Sequence, residues 1–438
     1  MTATETERAP TTFSVEVLGC KVNQHEAQQI RCALEAAGLR AAADGTVPDL
    51  AVVHTCAVTA EALRQSRQAA RRRGGAATRL ILSGCGASPQ LGAAAEVAAA
   101  AVVPAGPNWV ERLVAAAESL GARGAASAHA AGFGTILDRF AGHTRAFVKA
   151  QDGCDNGCAY CIVPRLRGPP RDRPAGEILA EARSLAAAGH AELVLSGVCV
   201  GRYGDGGGRE TLADLIAQLD RVEGLERLRL SSLHPAELTD ELLAAWRASP
   251  KMAPHAHLPL QSGSDAVLAR MGRGYTAAQF LEAVERLRRA LDRPAIATDV
   301  IVGFPGETED DFEQTLAVAR RAGFSRIHGF RFSPRPGTPA AALRPTVAAP
   351  VARARARRLQ EEAARLSTAF HAASVGRIVR VLAETRVAAR GEWKGYDERY
   401  ISVRFPGGPE WAGRLAPVRL TAADAAGARG ELVAEDRR

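Results

Sequence analysis

Between residue 13 and about residue 121, short apolar runs alternate with helix-like periods. The runs are VEVLG (15–19), LAVVHT (50–55), RLILSG (79–84) and AAVVPAG (100–106), and helical spacing starts near Gln24, Val58 and Pro89. Strands alternating with helices predict an α/β domain with a parallel sheet covered by helices. Residues 122–144 are rich in Ala, Gly and His with little periodicity and read as a linker. From Arg145 to about Ser333 the alternation resumes with a longer period. Its apolar runs are AFVKAQ (146–151), ELVLSGV (192–198), RLRLSS (227–232), HAHLPLQS (255–262), IATDVIVGF (296–304) and RIHGFRFS (326–333). Six such units favour a partial or complete parallel barrel over an open sheet, and in either the active site lies at the C-terminal strand ends. Residues 347–373 read as one long helix. After Val375 short strands follow at 377–385, 398–405, 414–420 and 428–435, which predicts a small antiparallel β-barrel.

Two cysteine patterns stand out against this frame. Cys154, Cys158 and Cys161 fall within QDGCDNGCAYCIVPRLRG, directly after a predicted strand. Three closely spaced thiolates suit iron or zinc. A structural zinc site would want a fourth local Cys or His, and none follows nearby. Three ligands leave one metal position open for a cofactor. Cys20, Cys56 and Cys85 are far apart in sequence, yet each follows an apolar run. Parallel strands bring their C-terminal ends to one edge, so these three thiols are expected to converge. Gly19 and Gly84 allow tight turns at two of those positions. Three unconnected buried cysteines are the alternative for this second trio. Cys32 lies on a helix pattern and reads as core. Cys199 follows the second barrel strand, where filler is the plainer role.

Charge adds little: the formal net charge of +8 fits nucleic acid, an anionic membrane or small anions alike. No apolar run is long enough for a membrane span, and MTATETERAP lacks a signal-peptide pattern. The expected location is the cytoplasm, where thiols stay reduced. The eight cysteines are then ligands, catalytic groups or core residues rather than disulfides.

The segments LGCKVNQHE (18–26), HTCAVT (54–59), SGCGAS (83–88), CDNGCAYCIVPRLRG (154–168), LSSLHP (230–235), HLPLQSGSD (257–265), TDVIVGFPGETEDDF (298–312) and SPRPGTPAA (333–341) carry a resemblance. Across essentially its whole length the chain resembles the methylthiotransferases of the radical S-adenosylmethionine class. The resemblance implies a cluster-binding domain over 1–121, a radical S-adenosylmethionine partial (β/α)6 barrel over 145–370, and an RNA-binding TRAM barrel over 371–438. It implies two 4Fe–4S clusters, one on Cys154, Cys158 and Cys161 and one on Cys20, Cys56 and Cys85, with S-adenosylmethionine as cofactor. Tyr160 stands where the superfamily carries an aromatic residue beside the cofactor's adenine. Gly197, Gln261 and Ser262, at or just past strand ends, are candidates to line the cofactor pocket.

The implied reaction joins a methylthio group to C2 of a modified adenine in the anticodon stem–loop of tRNA, with an external electron donor and sulfur source. GCKVNQHE and TCAVT look most like the members acting on threonylcarbamoyl-adenosine. Other members act on isopentenyl-adenosine in tRNA or on a ribosomal-protein aspartate, and a non-catalytic iron–sulfur RNA-binding protein is the rival of a different kind. Trp393, Lys394, Tyr396, Arg399 and Tyr400 interleave rings and cations as single-stranded RNA requires; an aromatic core is the alternative for each. Arg64, Arg67 and Arg71 to Arg73 form a basic stripe that suits an RNA backbone or a solvated helix face. The loop GDGGGRE (204–210) lacks the flanks of a phosphate loop and reads as flexible. His54 and Asp172 depart from the Asn and Ser common in the family.

Overall fold

The computed structural model describes residues 11–74, 78–91, 97–122, 133–205 and 210–433. Most of the expected linker (123–132), the centre of the Gly-rich loop (206–209) and residues 1–10 lie outside the described residues.

The N-terminal sheet has the strand order Arg40–Ala41, Thr12–Val17, Leu50–Thr55, Arg79–Gly84, Ala101–Pro104, all parallel. Leu50–Thr55 is buried throughout, as a central strand covered on both faces must be. The first strand begins and ends earlier than the apolar run 15–19 indicated, because Phe13 packs in the core while Leu18 and Gly19 turn toward the helix Lys21–Ala36. That helix buries Asn23, His25, Glu26, Gln28 and Gln29 as well as its apolar residues. Its polar face is an interface rather than a solvated side. Gln29 donates to Phe133 O at 2.6 Å, Gln28 donates to Ala141 O at 3.1 Å, and His25 meets Glu181 at 2.8 Å. The helix Trp109–Ser119 has no counterpart in the sequence reading; Trp109, Val110, Leu113 and Ala117 give it a narrow buried stripe. Only a short turn, Pro89–Leu91, begins where a helix was expected, and residues 92–96 lie outside the described residues.

The central domain carries six parallel strands in chain order: Ala146–Lys149, Glu192–Ser196, Arg227–Leu230, His255–His257, Ala295–Val302 and Arg326–Arg331. The first three and the last three form ladders, and the isolated pairing of Ser232 with His257 joins them. Among the described residues the first and last strands do not pair, so the barrel is partial. Helices start where Thr211, Thr239, Ser264, Thr276 and Thr308 accept a backbone N–H at the N-cap. The long helix Ala349–Ala372 then leads to a closed five-stranded barrel of Ile378–Val387, Glu392–Tyr396, Ser402–Pro406, Leu415–Asp424 and Gly427–Leu432. Among the described residues no helix is long and apolar enough to cross a membrane.

The small barrel docks on the N-terminal end of the large one through buried arginines. Arg229 holds Glu192 at 2.7 Å and donates to the carbonyls of Glu398 and Asp397 at 2.8 and 2.5 Å. Its guanidinium lies 3.8 Å from the centre of the Tyr400 ring. Arg399 donates to the carbonyls of Asp292 and Arg293 at 2.8 and 3.0 Å. In this docking loop Asp397 is fully buried; one carboxylate oxygen accepts from the N–H groups of Arg399 and Ile401, and the other has no partner. Burial, with Glu398 adding to it, raises this carboxyl to about 7. The folded chain therefore keeps a proton that the unfolded chain, with an ordinary value near ~4, releases. The stability from that proton is full below about pH 4 and is lost as pH rises through 7. Asp397→Asn is expected to melt above wild type at pH 8, with the gap closing toward pH 4. A gap that is the same at both ends of a calorimetric pH series would contradict this account.

Candidate functional site

Cys20, Cys56 and Cys85 stand just past three adjacent strands of the N-terminal sheet, and all three line one cavity of about 1210 Å³. The loops pack closely: a Cβ on Gly19 would lie 2.7 Å from Cys56 Cβ, and Gly19 adopts φ 108°. Gly84 adopts φ 88°, and a Cβ there would meet Thr55 O at 2.7 Å. Asn23 ties the first two loops together, donating to Leu18 O and Thr55 O at 2.8 and 3.0 Å. Burial pushes the Cys85 thiol up to about 12 and raises that of Cys56. Metal binding here must displace protons. Arg335 is buried within electrostatic reach of Cys56, and two of its guanidinium nitrogens have no partner. A buried cation without an anion is costly, so this orphan marks a place for negative charge beside the trio.

Cys154, Cys158 and Cys161 occupy the loop after the first barrel strand. Cys154 N–H donates to Gly168 O at 3.0 Å, closing the base of the loop. Arg273 donates to Cys158 Sγ at 3.3 Å, again setting a cation against a thiol. Cys199 donates to Cys154 Sγ at 3.3 Å, and Asn156 Nδ2 donates to Cys199 at 3.6 Å. The hydrogen bond from Cys199 lowers Cys154 to about 7 against the opposing effect of burial. Among the described residues, no three His, Cys, Asp or Glu side chains converge tightly enough to hold a single metal ion. An iron–sulfur cluster is a different demand, because each thiolate takes its own iron and the ligands stand further apart. Within each trio the thiols still feel one another electrostatically. The donor set and the facing arginines fit such a group in both places.

A buried ionic network joins the two cysteine regions. Arg167, which ends the short helix Val163–Arg167 after Cys161, donates to both oxygens of Glu26 at 2.9 Å, to Asn23 Oδ1 at 3.0 Å and to Asp152 Oδ1 at 2.9 Å. Lys149 completes it, with Glu26 at 2.9 Å and Asp152 at 3.3 Å. Two carboxylates thus face two buried cations, with the more exposed Arg171 3.8 Å from Asp152. Burial opposes the charge on Glu26, but Arg167 and Lys149 outweigh it and hold the carboxyl well below the usual range. His54 supplies Glu26's remaining contact at 3.0 Å and reaches Ser83 at 3.1 Å with its other nitrogen. The departure from Asn at 54 is therefore part of the network. Asp172 instead accepts from Gly204 N–H at 2.9 Å.

Residues 148–319 match the Radical SAM superfamily, and residues 12–103 match an uncharacterized protein family, UPF0004. The chain is 36% identical to the threonylcarbamoyladenosine tRNA methylthiotransferase MtaB of Thermotoga maritima, over 90% of this chain and 92% of that protein. It is 39% identical to the tRNA-2-methylthio-N(6)-dimethylallyladenosine synthase of Thermobifida fusca, over 85% of this chain and 77% of that one. The chain belongs to the radical S-adenosylmethionine methylthiotransferase family. As an enzyme of that superfamily it uses a 4Fe–4S cluster and S-adenosylmethionine. The fold is shared with TsrM, a radical S-adenosylmethionine methyltransferase from Kitasatospora setae, at TM-score 0.56 and 15% identity, over 76% of this chain and 74% of that one.

The other residues singled out in this methylthiotransferase from sequence separate in the structure. Gly197 lines the cavity, and a Cβ on it would lie 3.0 Å from Gln151. Tyr160 packs beside the cysteine loop against the cluster of Val267, Met271 and Phe304. Gln261 sits at φ 65° and bridges to Val300. Ser262 is buried within a turn, 3.3 Å from Thr315 Oγ1, so its hydroxyl is occupied by structure. Lys394, Tyr396, Arg399 and Tyr400 line the cavity, but Trp393 does not; it is buried in the small barrel, with Nε1 donating to Gly408 O at 2.8 Å. Its ring is core, not a stacking platform. Arg399 and Tyr400 serve the docking seam instead of a free RNA surface. In the basic stripe, Arg64 pairs with Glu61, and Arg72 and Arg73 pair with Glu16. Cys199, read as filler, touches a candidate ligand; its strand-end position was the available signal.

Proposed function

We propose that this enzyme adds a methylthio group to C2 of N6-threonylcarbamoyladenosine next to the anticodon of tRNA, using two 4Fe–4S clusters. The observation that carries the reading is the common cavity. Cys20, Cys56 and Cys85 line the same space as Gly197 and Ser231, just past two barrel strands, and Asp299 within a third, while Cys154, Cys158 and Cys161 lie outside that lining. A reaction needing both hydrogen removal and sulfur delivery at one carbon calls for a space shared by the N-terminal thiols and the barrel.

Cys154, Cys158 and Cys161 would hold the barrel cluster and Cys20, Cys56 and Cys85 the other. When bound, the clusters and S-adenosylmethionine supply one-electron sulfonium cleavage, a hydrogen-abstracting radical and the site of sulfur transfer. The chain's own contribution is placement. Arg167 and Glu26 fix the two cysteine-bearing edges relative to each other. Arg273 and Arg335 offset thiolate charge. Lys394 and Tyr396 offer a cation and a ring to RNA from the small-barrel side. The segments GCKVNQHE and TCAVT, which look most like the members acting on threonylcarbamoyl-adenosine, support that substrate.

The test is mass spectrometry of tRNA nucleosides from strains with and without the gene. The methylthio form of threonylcarbamoyladenosine is expected to vanish and its unmethylthiolated precursor to accumulate. Loss of the isopentenyl-type product, or an altered ribosomal protein with unchanged tRNA, would assign the enzyme to one of the rival substrates.

A further inference from the structure

The charges lining the cavity do not balance. Arg145 is committed to Glu384 at 2.7 Å, Arg167 to Glu26 and Asp152, and Arg399 to the docking seam. The carboxylate of Asp299 is faced by His257 at 3.2 Å. Lys21, next to Cys20, also lines the cavity, and among the described residues it has no hydrogen bond or ion pair. It lies in electrostatic reach of Arg145 and Arg229 and, with the opposite sign, of Asp299 and Cys20. The first turn of helix Lys21–Ala36 adds positive partial charge.

A second, independent orphan faces the same space. His255 is 6% exposed and lines the cavity, and its Nδ1 has no partner. Its ring packs edge-on against Tyr400 at 4.5 Å, which fixes its orientation. Lys21 and His255 are in electrostatic reach of one another. A half-buried ammonium and a buried imidazole nitrogen, neither with a hydrogen-bond partner among the described residues, together leave room for an anionic acceptor.

We propose that Lys21 and His255 form a carboxylate subsite that receives the amino-acid arm of the substrate base and excludes apolar N6 substituents. This rests on the threonylcarbamoyl reading above and deepens it. An isopentenyl arm placed here would leave both groups desolvated without a partner. A site built for a polar group rejects an analogue lacking it far more strongly than an apolar pocket rejects an extra methylene.

The test uses full-length, anaerobically reconstituted enzyme with S-adenosylmethionine present. Binding is measured by fluorescence anisotropy with synthetic anticodon stem–loops carrying N6-threonylcarbamoyladenosine, its methyl ester or N6-isopentenyladenosine. Wild type is expected to bind the acid about 10- to 100-fold more tightly than the ester. Lys21→Met is expected to bring that ratio close to one, Lys21→Arg to restore most of it, and His255→Phe to reduce it. A wild-type ratio of one, with the acid and ester loops both bound more tightly than the isopentenyl loop, overturns the subsite and leaves the substrate reading standing. Tightest binding of the isopentenyl loop overturns the substrate reading itself. Equal weakening of all three loops by Lys21→Met assigns the lysine to the RNA backbone and also overturns the subsite. Should Lys21→Met not fold, the acid-to-ester ratios of wild type, Lys21→Arg and His255→Phe decide alone.

Discussion

Cys158→Ala is expected to abolish formation of 5′-deoxyadenosine, whereas Cys56→Ala is expected to retain it and yield no methylthiolated RNA. The two cysteines sit in separate loops, on different domains, beside different arginines. Arg273 faces Cys158, and the orphaned Arg335 lies near Cys56. Removing one thiolate of three leaves an iron with neither protein nor cofactor ligand, so each variant should lose its own cluster only. Iron content should fall from about eight to about four per chain in either case. Cys32→Ala is the control. Cys32 packs against the core with a thiol pushed up to about 11 by burial, and its loss should change neither iron content nor products. Wild-type cleavage by Cys158→Ala, or methylthiolated RNA from Cys56→Ala, would overturn the ligand assignment.

Strand-end position was enough to gather Cys20, Cys56 and Cys85 from sequence, because a parallel sheet forces its C-terminal ends to one edge. The same regularity made the barrel strands legible. What escaped is held by side chains whose meaning depends on the partner domain. Helix Lys21–Ala36 carries a row of polar residues that a single sequence presents as a solvated face. In the fold they are buried and bonded across a domain boundary, often more than 100 residues away. Arg167 and Glu26 stood in the sequence only as members of the segments CDNGCAYCIVPRLRG and LGCKVNQHE. Neither has a local pattern that announces a buried pair. The aromatic segment at 393–400 split: Lys394 and Tyr396 line the cavity, whereas Trp393 lies in the small-barrel core and Tyr400 packs under Arg229. Its rings and cations matched RNA binding by composition, but the strand Glu392–Tyr396 alternates inward and outward, which sends Trp393 to the core. The loop after it inserts Tyr400 beneath Arg229. Composition does not distinguish a ring stacked on a base from one stacked on a guanidinium.

Arg167→Met should be the most damaging substitution outside the cysteines. Arg167 is 3% exposed and makes four hydrogen bonds to Glu26, Asn23 and Asp152. Methionine keeps much of the volume but leaves two buried carboxylates with the buried ammonium of Lys149 and, at 3.8 Å from Asp152, the more exposed Arg171. Breaking a buried pair from one side costs about 3–5 kcal/mol, much of a typical domain's stability. The uncompensated charge also gives the defect a pH sign. In wild type Glu26 is held well below its ordinary pKa, so its stabilising contribution is present at neutral pH and is lost as pH falls through that depressed value. In Arg167→Met the carboxyls lose that support and take up protons more readily, so the deficit relative to wild type should shrink from pH 8 to pH 5. Adding Glu26→Gln should recover part of the loss, since the two residues are directly bonded and their effects cannot add. Function supplies the second readout. With the cysteine-bearing edges no longer tied, the variant should form more 5′-deoxyadenosine per methylthiolated product than wild type. A double-mutant cycle with no coupling, or a product ratio equal to wild type in folded variant, would reduce the network to one salt bridge among many.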